Sequence, residues 1–274
     1  MFVSGEDFEA LYSRLISGGQ HQELVKWLED EVFKYFSALQ LPDRPTIFDH
    51  LVLSLRPKDI IASFNWDPFL VQALRRCSSI AKPPTCLHLH GNVATGYCME
   101  HKPVTIGNQG AKCSRCPKQL MDSRLLYPVA QKNYTSDPFI ARQWRAVQER
   151  LKASFLLTIF GYGAPATDVE AVDLMKQGWG NTAVRELEET EIIDIRSEGD
   201  LTSTWHPFIH SHHYQIHTTF YDSMLGQLPR RSVEEMQRQL LDAEFIDSFP
   251  MPKDADWSEL TAWLRPYLAQ ETDS

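Results

Sequence analysis

The sequence predicts an α/β fold in which a parallel sheet is covered by helices on both faces, as a single domain over residues 1–274. Three observations predict it. Short apolar runs of strand length alternate with longer amphipathic segments, most of these runs end in a polar or glycine-containing turn, and a segment with two pairs of metal-type ligands interrupts the alternation as an inserted module over residues 94–122.

The elements follow in order. From Glu6 to about Leu39 the apolar positions Phe8, Leu11, Leu15, Leu24, Trp27, Leu28, Val32, Tyr35 and Phe36 recur at helical spacing, and Gly18-Gly19 breaks them into two helices. Pro42 and Pro45 mark a loop, Ile47 to Leu55 reads as a helix, and Asp59 to Ser63 as a short buried strand ending in Phe64-Asn65-Trp66-Asp67. Pro68 to Cys77 reads as a helix, and Cys86 to Leu89 as a strand ending in His90. Ser136-Asp137-Pro138 offers a cap with proline in the first turn of a helix over Phe139 to Lys152. Ser154 to Phe160 is the clearest buried strand; it ends in Gly161-Tyr162-Gly163, and a helix runs from Val169 to about Lys176. Glu191 to Ile195 and His213 to His217 read as further strands. Arg230-Arg231 reads as the solvated or salt-bridged start of a helix. The stripes Val233, Met236, Leu240, Leu241 and Trp257, Leu260, Trp263, Leu264 read as core-facing helix, with a surface for a partner chain as the alternative.

Composition sets the outer limits. With 43% hydrophobic and 11% aromatic residues in 274 positions, the chain has ample material for a buried core. No apolar run is long enough to span a bilayer, and the amino-terminal residues lack the basic and apolar regions of a secretory signal, so a cytoplasmic chain with no membrane partner is expected. Five cysteines then read as reduced or metal-bound rather than as a disulfide framework. A formal charge of -9 argues against a surface built for nucleic acid, although Lys112, Arg115 and Lys118 could form a local basic patch.

Three of the five cysteines fall in Cys98-x-x-His101 and Cys113-x-x-Cys116. Two short ligand pairs separated by a loop suit a tetrahedral zinc ion, because each pair spans one edge of the tetrahedron. With all four positions filled by protein, such an ion is closed to substrate and acts structurally, supplying folding energy to a module too small for its own core. The histidines between Trp205 and His217 are too irregularly spaced to predict a second metal.

Asn65, Asp67, His90 and the Gly161-Tyr162-Gly163 turn each follow a predicted strand. Ligands of parallel sheets bind in the crevice at the carboxyl ends of the strands, so one crevice is expected to gather these residues.

Taken together, Phe64-Asn65-Trp66-Asp67, His90-Gly91-Asn92, the Cys98/His101/Cys113/Cys116 cluster and Gly161-Tyr162-Gly163 resemble, in order, the Asn-x-Asp turn, His-Gly motif, zinc ribbon and later glycine turn of the Sir2 (sirtuin-type) family. The resemblance covers about Asp59 to Asp173. It implies a Rossmann-like NAD-binding sheet with a small zinc-ribbon-like insert, NAD as ligand, structural zinc, and cleavage of the bond between nicotinamide and ribose. By residue, Asn65 would orient the water or ribose, Asp67 would help hold the nicotinamide side, His90 would be the general base, and Gly161, Tyr162 and Gly163 would line the nucleotide.

Two departures qualify what is implied. The family opens with a strand and a Gly-Ala-Gly turn that holds the pyrophosphate, and Met1 is followed here almost at once by helix. No residues for an acyl-lysine groove are evident. The divergent form is more similar to bacterial Sir2-like NAD hydrolases of phage defence than to protein deacylases. The expected function is therefore an NAD glycohydrolase, with a non-catalytic nucleotide-binding or interaction module and an NAD-dependent deacylase as alternatives, and a protein partner or homo-oligomer as a possible assembly.

Overall fold

The structure, a computed structural model, describes residues 8–18, 21–101, 105–127, 134, 136–165 and 168–271. It opens with helices α1 (Phe8–Gly18), α2 (Gln22–Ser37) and α3 (Ile47–Leu53), followed by strand β1 (Ile60–Ser63), helix α4 (Phe69–Cys77) and strand β2 (Thr85–His88). The inserted module contributes β3 (Thr95–Cys98), β4 (Thr105–Asn108) and β5 (Met121–Asp122). Then come α5 (Pro138–Ala153), β6 (Leu156–Phe160), α6 (Val169–Trp179), β7 (Glu189–Ile193), α7 (Glu198–Trp205), β8 (Tyr214–His217), α8 (Met224–Gln227), α9 (Ser232–Gln237) and α10 (Trp257–Glu271). Of the expected break at Gly18-Gly19, Gly19 lies outside the described residues. None of the described helices is long and apolar enough to cross a membrane.

Local chemistry explains the helix starts. Asp137 accepts hydrogen bonds from the Phe139 and Ile140 amides at 2.9 and 3.0 Å while Pro138 occupies the first turn of α5, a cap of about 1 kcal/mol. Thr46 and Asp49 form a capping box on α3, and Asp49, fully buried, is paired by Arg76 of α4.

The single parallel sheet expected from the sequence is in fact two. β1 pairs with β2 in parallel, and β6, β7 and β8 form a separate parallel sheet in that order. Neither β1 nor β6 has a second strand partner among the described residues. Both sheets nevertheless serve the same two cores. Ile60, Leu87, Ile159 and Ile192 belong to one core, built with Trp144, Val147, Trp179, Leu201 and Trp205. Their chain neighbours Ile61, Cys86 and Ile193 belong to the other, built with Val52, Leu53, Ala73, Leu260 and Leu264. Because successive side chains of a strand point to opposite faces, this alternation means that both sheets are sandwiched between the same two helical layers, α5, α6 and α7 on one side and α3, α4 and α10 on the other. Strand spacing along the chain fixes which residues are strand, but it does not say which edges hydrogen-bond.

One further expectation changes, and one pair of alternatives is decided. Met236 is buried, but Leu240 and Leu241 are exposed, because the chain after Gln237 widens into a π-helical turn that carries them off the core. Of the two readings of Arg230, the salt-bridged one holds, and the residue is buried: its guanidinium bonds Glu271 and the Leu53 and Leu55 carbonyls.

Candidate functional site

The module between residues 94 and 122 is a three-stranded antiparallel sheet of order β4-β3-β5, closed by a bridge between Lys112 and Gln119. β3 delivers Cys98 at its end, His101 lies in the following turn, and the Lys112 to Gln119 hairpin delivers Cys113 and Cys116. Their four ligand atoms all lie within 4.8 Å of one another, and the Cys98 and Cys116 sulfurs are 3.8 Å apart. A tetrahedral zinc with bonds of about 2.3 Å to sulfur requires an edge of about 3.8 Å. The His101 Nε2 is buried with no hydrogen-bond partner among the described residues. The Arg115 amide donates to the Cys113 sulfur at 3.4 Å. Burial would raise the Cys113 thiol, but amides of Arg115 and Cys116 and the neighbouring thiols outweigh it and bring it down to about 6. The donor set, the spacing and the orphaned imidazole nitrogen all fit a structural zinc. Among the described residues the module's own core is Cys98, Cys113 and Leu120, with Ala111 and Cys116 beside them, which is little to hold it together without an ion. Of the basic residues there, Lys118 is paired with Glu100 at 2.7 Å.

The module joins the sheet through the His90 turn. Gly91 has φ +82, and a Cβ there would lie 1.9 Å from the Arg124 carbonyl oxygen, so only glycine allows the segment after β5 to pass so close. Beside it, the Leu126 amide donates to the His90 carbonyl at 2.9 Å. Asn92 ties this turn to the one after β1: its Nδ2 donates to the Asp67 carbonyl at 2.6 Å and the Asn65 carbonyl at 3.4 Å.

His90 is buried, and its Nε2 lies 2.9 Å from the Tyr134 hydroxyl and 3.9 Å from Oδ2 of Asp168. Phe64 meets the His90 ring edge-on at 4.9 Å and lies flat on Tyr162, centroids 3.9 Å apart. Tyr162 in turn donates to Asp168 at 3.0 Å. The structure thus brings together His90, the aromatic start of the Asn65 turn, and the glycine turn after β6. Gly161 has φ +64, and a Cβ at Gly161 or Gly163 would meet no heavy atom within 4 Å, so this backbone is open to close approach. By contrast His88, two residues before His90, is a buried neutral imidazole, its pKa pushed down to about 4 by burial.

Asn65 and Asp67 occupy different situations. Asn65 is exposed. Asp67 is half-buried and its Oδ1 accepts from the Phe69 amide at 3.0 Å, which starts α4; burial raises its carboxyl, and the Phe69 and Asp67 amides counter only part of that. Asp168 and Tyr134 were not singled out by sequence reasoning. Asp168 carries no signal of its own in the sequence. Among the described residues the Cys98/His101/Cys113/Cys116 group is the one cluster suited to a metal, and the Trp205 to His217 histidines do not form another.

No protein-family profile and no curated protein matches the chain. Among solved structures, one of Sir2 in complex with an inhibitor, 2'-O-acetyl-ADP-ribose and a deacetylated p53 peptide is similar with a TM-score of 0.40 and 13% identity, over 87% of this chain and 86% of that one.

Proposed function

We propose that this chain is a Sir2-like NAD-binding domain that cleaves the nicotinamide-ribose bond of NAD, a cytoplasmic NAD glycohydrolase of the phage-defence kind. The observation that carries the reading is the meeting of three strand ends around one buried imidazole: the Asn65 turn, His90, and the open backbone of Gly161 to Gly163, joined by the Phe64–Tyr162 stack. In the reaction, the glycosidic C–N bond breaks and nicotinamide leaves with its electron pair. A water oxygen bonds to the anomeric carbon, and His90 takes the water's proton. Asn65 orients that water or the ribose, Asp67 supports the nicotinamide side, and Gly161, Tyr162 and Gly163 accept the nucleotide backbone-first. Zinc held by Cys98, His101, Cys113 and Cys116 is scaffold and takes no part in the chemistry.

Incubating the protein with NAD and measuring released nicotinamide tests this, with Asn65→Ala and His90→Ala as controls. Release that is abolished in both variants supports the reading; release unchanged in both sinks it.

A second reading, a non-catalytic nucleotide-binding or partner-binding module, draws on the exposure of Asn65 and the use of Asp67 to start α4. Calorimetry with NAD and ADP-ribose separates the two, since binding without turnover favours the second.

A further inference from the structure

Asp168 stands immediately before α6, where an aspartate ordinarily accepts a hydrogen bond from the first-turn amides and contributes about 1 kcal/mol. Its side chain makes no such bond. The carboxylate is instead buried at 3% exposure and turned toward the site, where it accepts the Tyr162 hydroxyl at 3.0 Å and lies 3.9 Å from the His90 Nε2. Burying a carboxylate and giving up a helix cap are both costly, and neither is needed to start a helix. The arrangement makes sense if the carboxylate has a task at the ring.

We propose that Asp168 is the positioning carboxylate of this site: with Tyr134 it fixes the Nε2 side of the His90 imidazole and stabilises the positive charge the ring gains when it accepts a proton, and with Tyr162 it locks the glycine turn to that ring. The proposal rests on His90 acting as the base. Its physical logic is that of a buried carboxylate beside a catalytic imidazole, which orients the ring and stabilises imidazolium without being protonated itself. Tyr134 is the ring's direct partner, its oxygen 2.9 Å from Nε2, and Asp168 stands beside the same nitrogen at 3.9 Å. Burial, with Asp168 beside them, pushes both phenols well up, so they remain hydroxyl donors throughout the working range. Among the described residues, Phe64 after β1, Tyr134 before α5 and Asp168 before α6 face the ring, Tyr162 lies behind Phe64 and bonds Asp168, and Glu170 on the first turn of α6 adds negative charge near Tyr134.

The test is to titrate the His90 ring by NMR in the NAD-free protein with labelled histidine, comparing wild type with Asp168→Asn. That variant keeps the shape and can still accept from one tyrosine, but it removes the charge. The expected result is a fall of about one pH unit or more in the His90 midpoint. Alongside it, nicotinamide release should fall about tenfold or more in kcat with little change in the KM for NAD, and Asp168→Glu should restore part of it. A His90 midpoint unchanged in Asp168→Asn overturns the proposal, as does a loss expressed in KM alone. If Asp168→Asn does not fold, Tyr134→Phe removes only the hydroxyl at Nε2 and must lower the same midpoint; no shift there is equally fatal. The titration needs no turnover, so a protein that never releases nicotinamide defeats the function proposed above while the titration still decides the role of Asp168.

Discussion

Phe64 and Tyr162 lie face to face, their ring planes within 2° and their centroids 3.9 Å apart, so the last turn of one parallel sheet rests directly on the first turn beyond the other. β1 and β6 share no hydrogen bonds, yet their carboxyl ends are held together by this contact. Phe64 also meets Trp144 at 5.9 Å and His90 at 4.9 Å, which makes it the apolar wall of the candidate site.

Phe64→Ala should therefore loosen the joint between the two sheets. Complete truncation of a buried phenylalanine costs about 3–5 kcal/mol; Phe64 is only partly buried, so about 2–3 kcal/mol is expected. Phe64→Leu, which retains most of the volume, should lose less than half as much. Urea unfolding of the three proteins measures this, and equal stability of wild type and Phe64→Ala would show that the stack carries no structural weight.

The zinc module gives a second prediction. The purified protein should contain one zinc per chain, and Cys113→Ser or Cys116→Ser should abolish it. Stripping the metal with a chelator should melt β3 to β5 first, because among the described residues their shared core is three buried side chains. Hydrogen exchange should then show lost protection at Thr95 to Cys98, with α5 and β6 little affected. Metal analysis with a stoichiometry near zero, or uniform loss of protection throughout, would count against a local structural ion.

Much of this was legible in the sequence, for identifiable reasons. Metal-ligand pairs and strand-end motifs are local patterns, and proline, glycine and capping residues punctuate the chain at Asp137-Pro138 and Gly161 as they do in the structure. What was not legible depends on contacts distant in sequence. Asp168 carries no signal of its own in the sequence, and its place in the site shows only once His90, 78 positions earlier, is seen beside it. Arg230 reads as solvated or salt-bridged, and only α10, which brings Glu271 against it from 41 positions away, decides between the two. The break between the sheets depends on which strand edges meet, which no periodicity encodes. Leu240 and Leu241 continue a helical stripe in the sequence, but the helix itself changes pitch before reaching them.

Arg230 supports a third prediction. It is 4% exposed and at φ +68, a strained conformation for an arginine, yet its guanidinium makes bonds to both carboxylate oxygens of Glu271 and to the Leu55 carbonyl at 2.7 Å. Arg230→Met takes one of two guanidinium partners from Glu271, Arg56 remaining at 3.3 Å, and leaves the Leu53 and Leu55 carbonyls without this donor, so a loss of about 2 kcal/mol is expected, above the loss in Glu271→Gln, which keeps the shape of the pair. Chemical denaturation of the single variants and the double variant isolates the coupling. Full additivity of the two losses would mean that the pair contributes nothing as a pair.

The last prediction concerns Glu191, which sits at the centre of β7 with no exposed surface. Its carboxylate accepts from the Met224 amide at 2.6 Å and the Thr158 hydroxyl at 3.1 Å, and lies 3.5 Å from the His217 Nε2. Burial dominates those bonds and raises its pKa from 4.5 to about 7. Between these two values the unfolded chain has released the proton while the folded chain retains it, so the unfolded state binds fewer protons and stability falls as pH rises from about 4.5 to about 7. At about 1.4 kcal/mol per pH unit, the contribution is of order 3 kcal/mol. His217 acts in the opposite sense, because burial lowers its pKa and its contribution is lost as pH falls below its ordinary value. Subtracting Glu191→Gln from wild type separates the two. The variant should match wild type near pH 5 and exceed it by up to about 3 kcal/mol at pH 8, while the acid-side decline due to His217 remains in both. Urea unfolding at pH 5, 6, 7 and 8 reads this directly; a stability difference that is flat across that range would show that Glu191 does not hold a proton in the folded sheet.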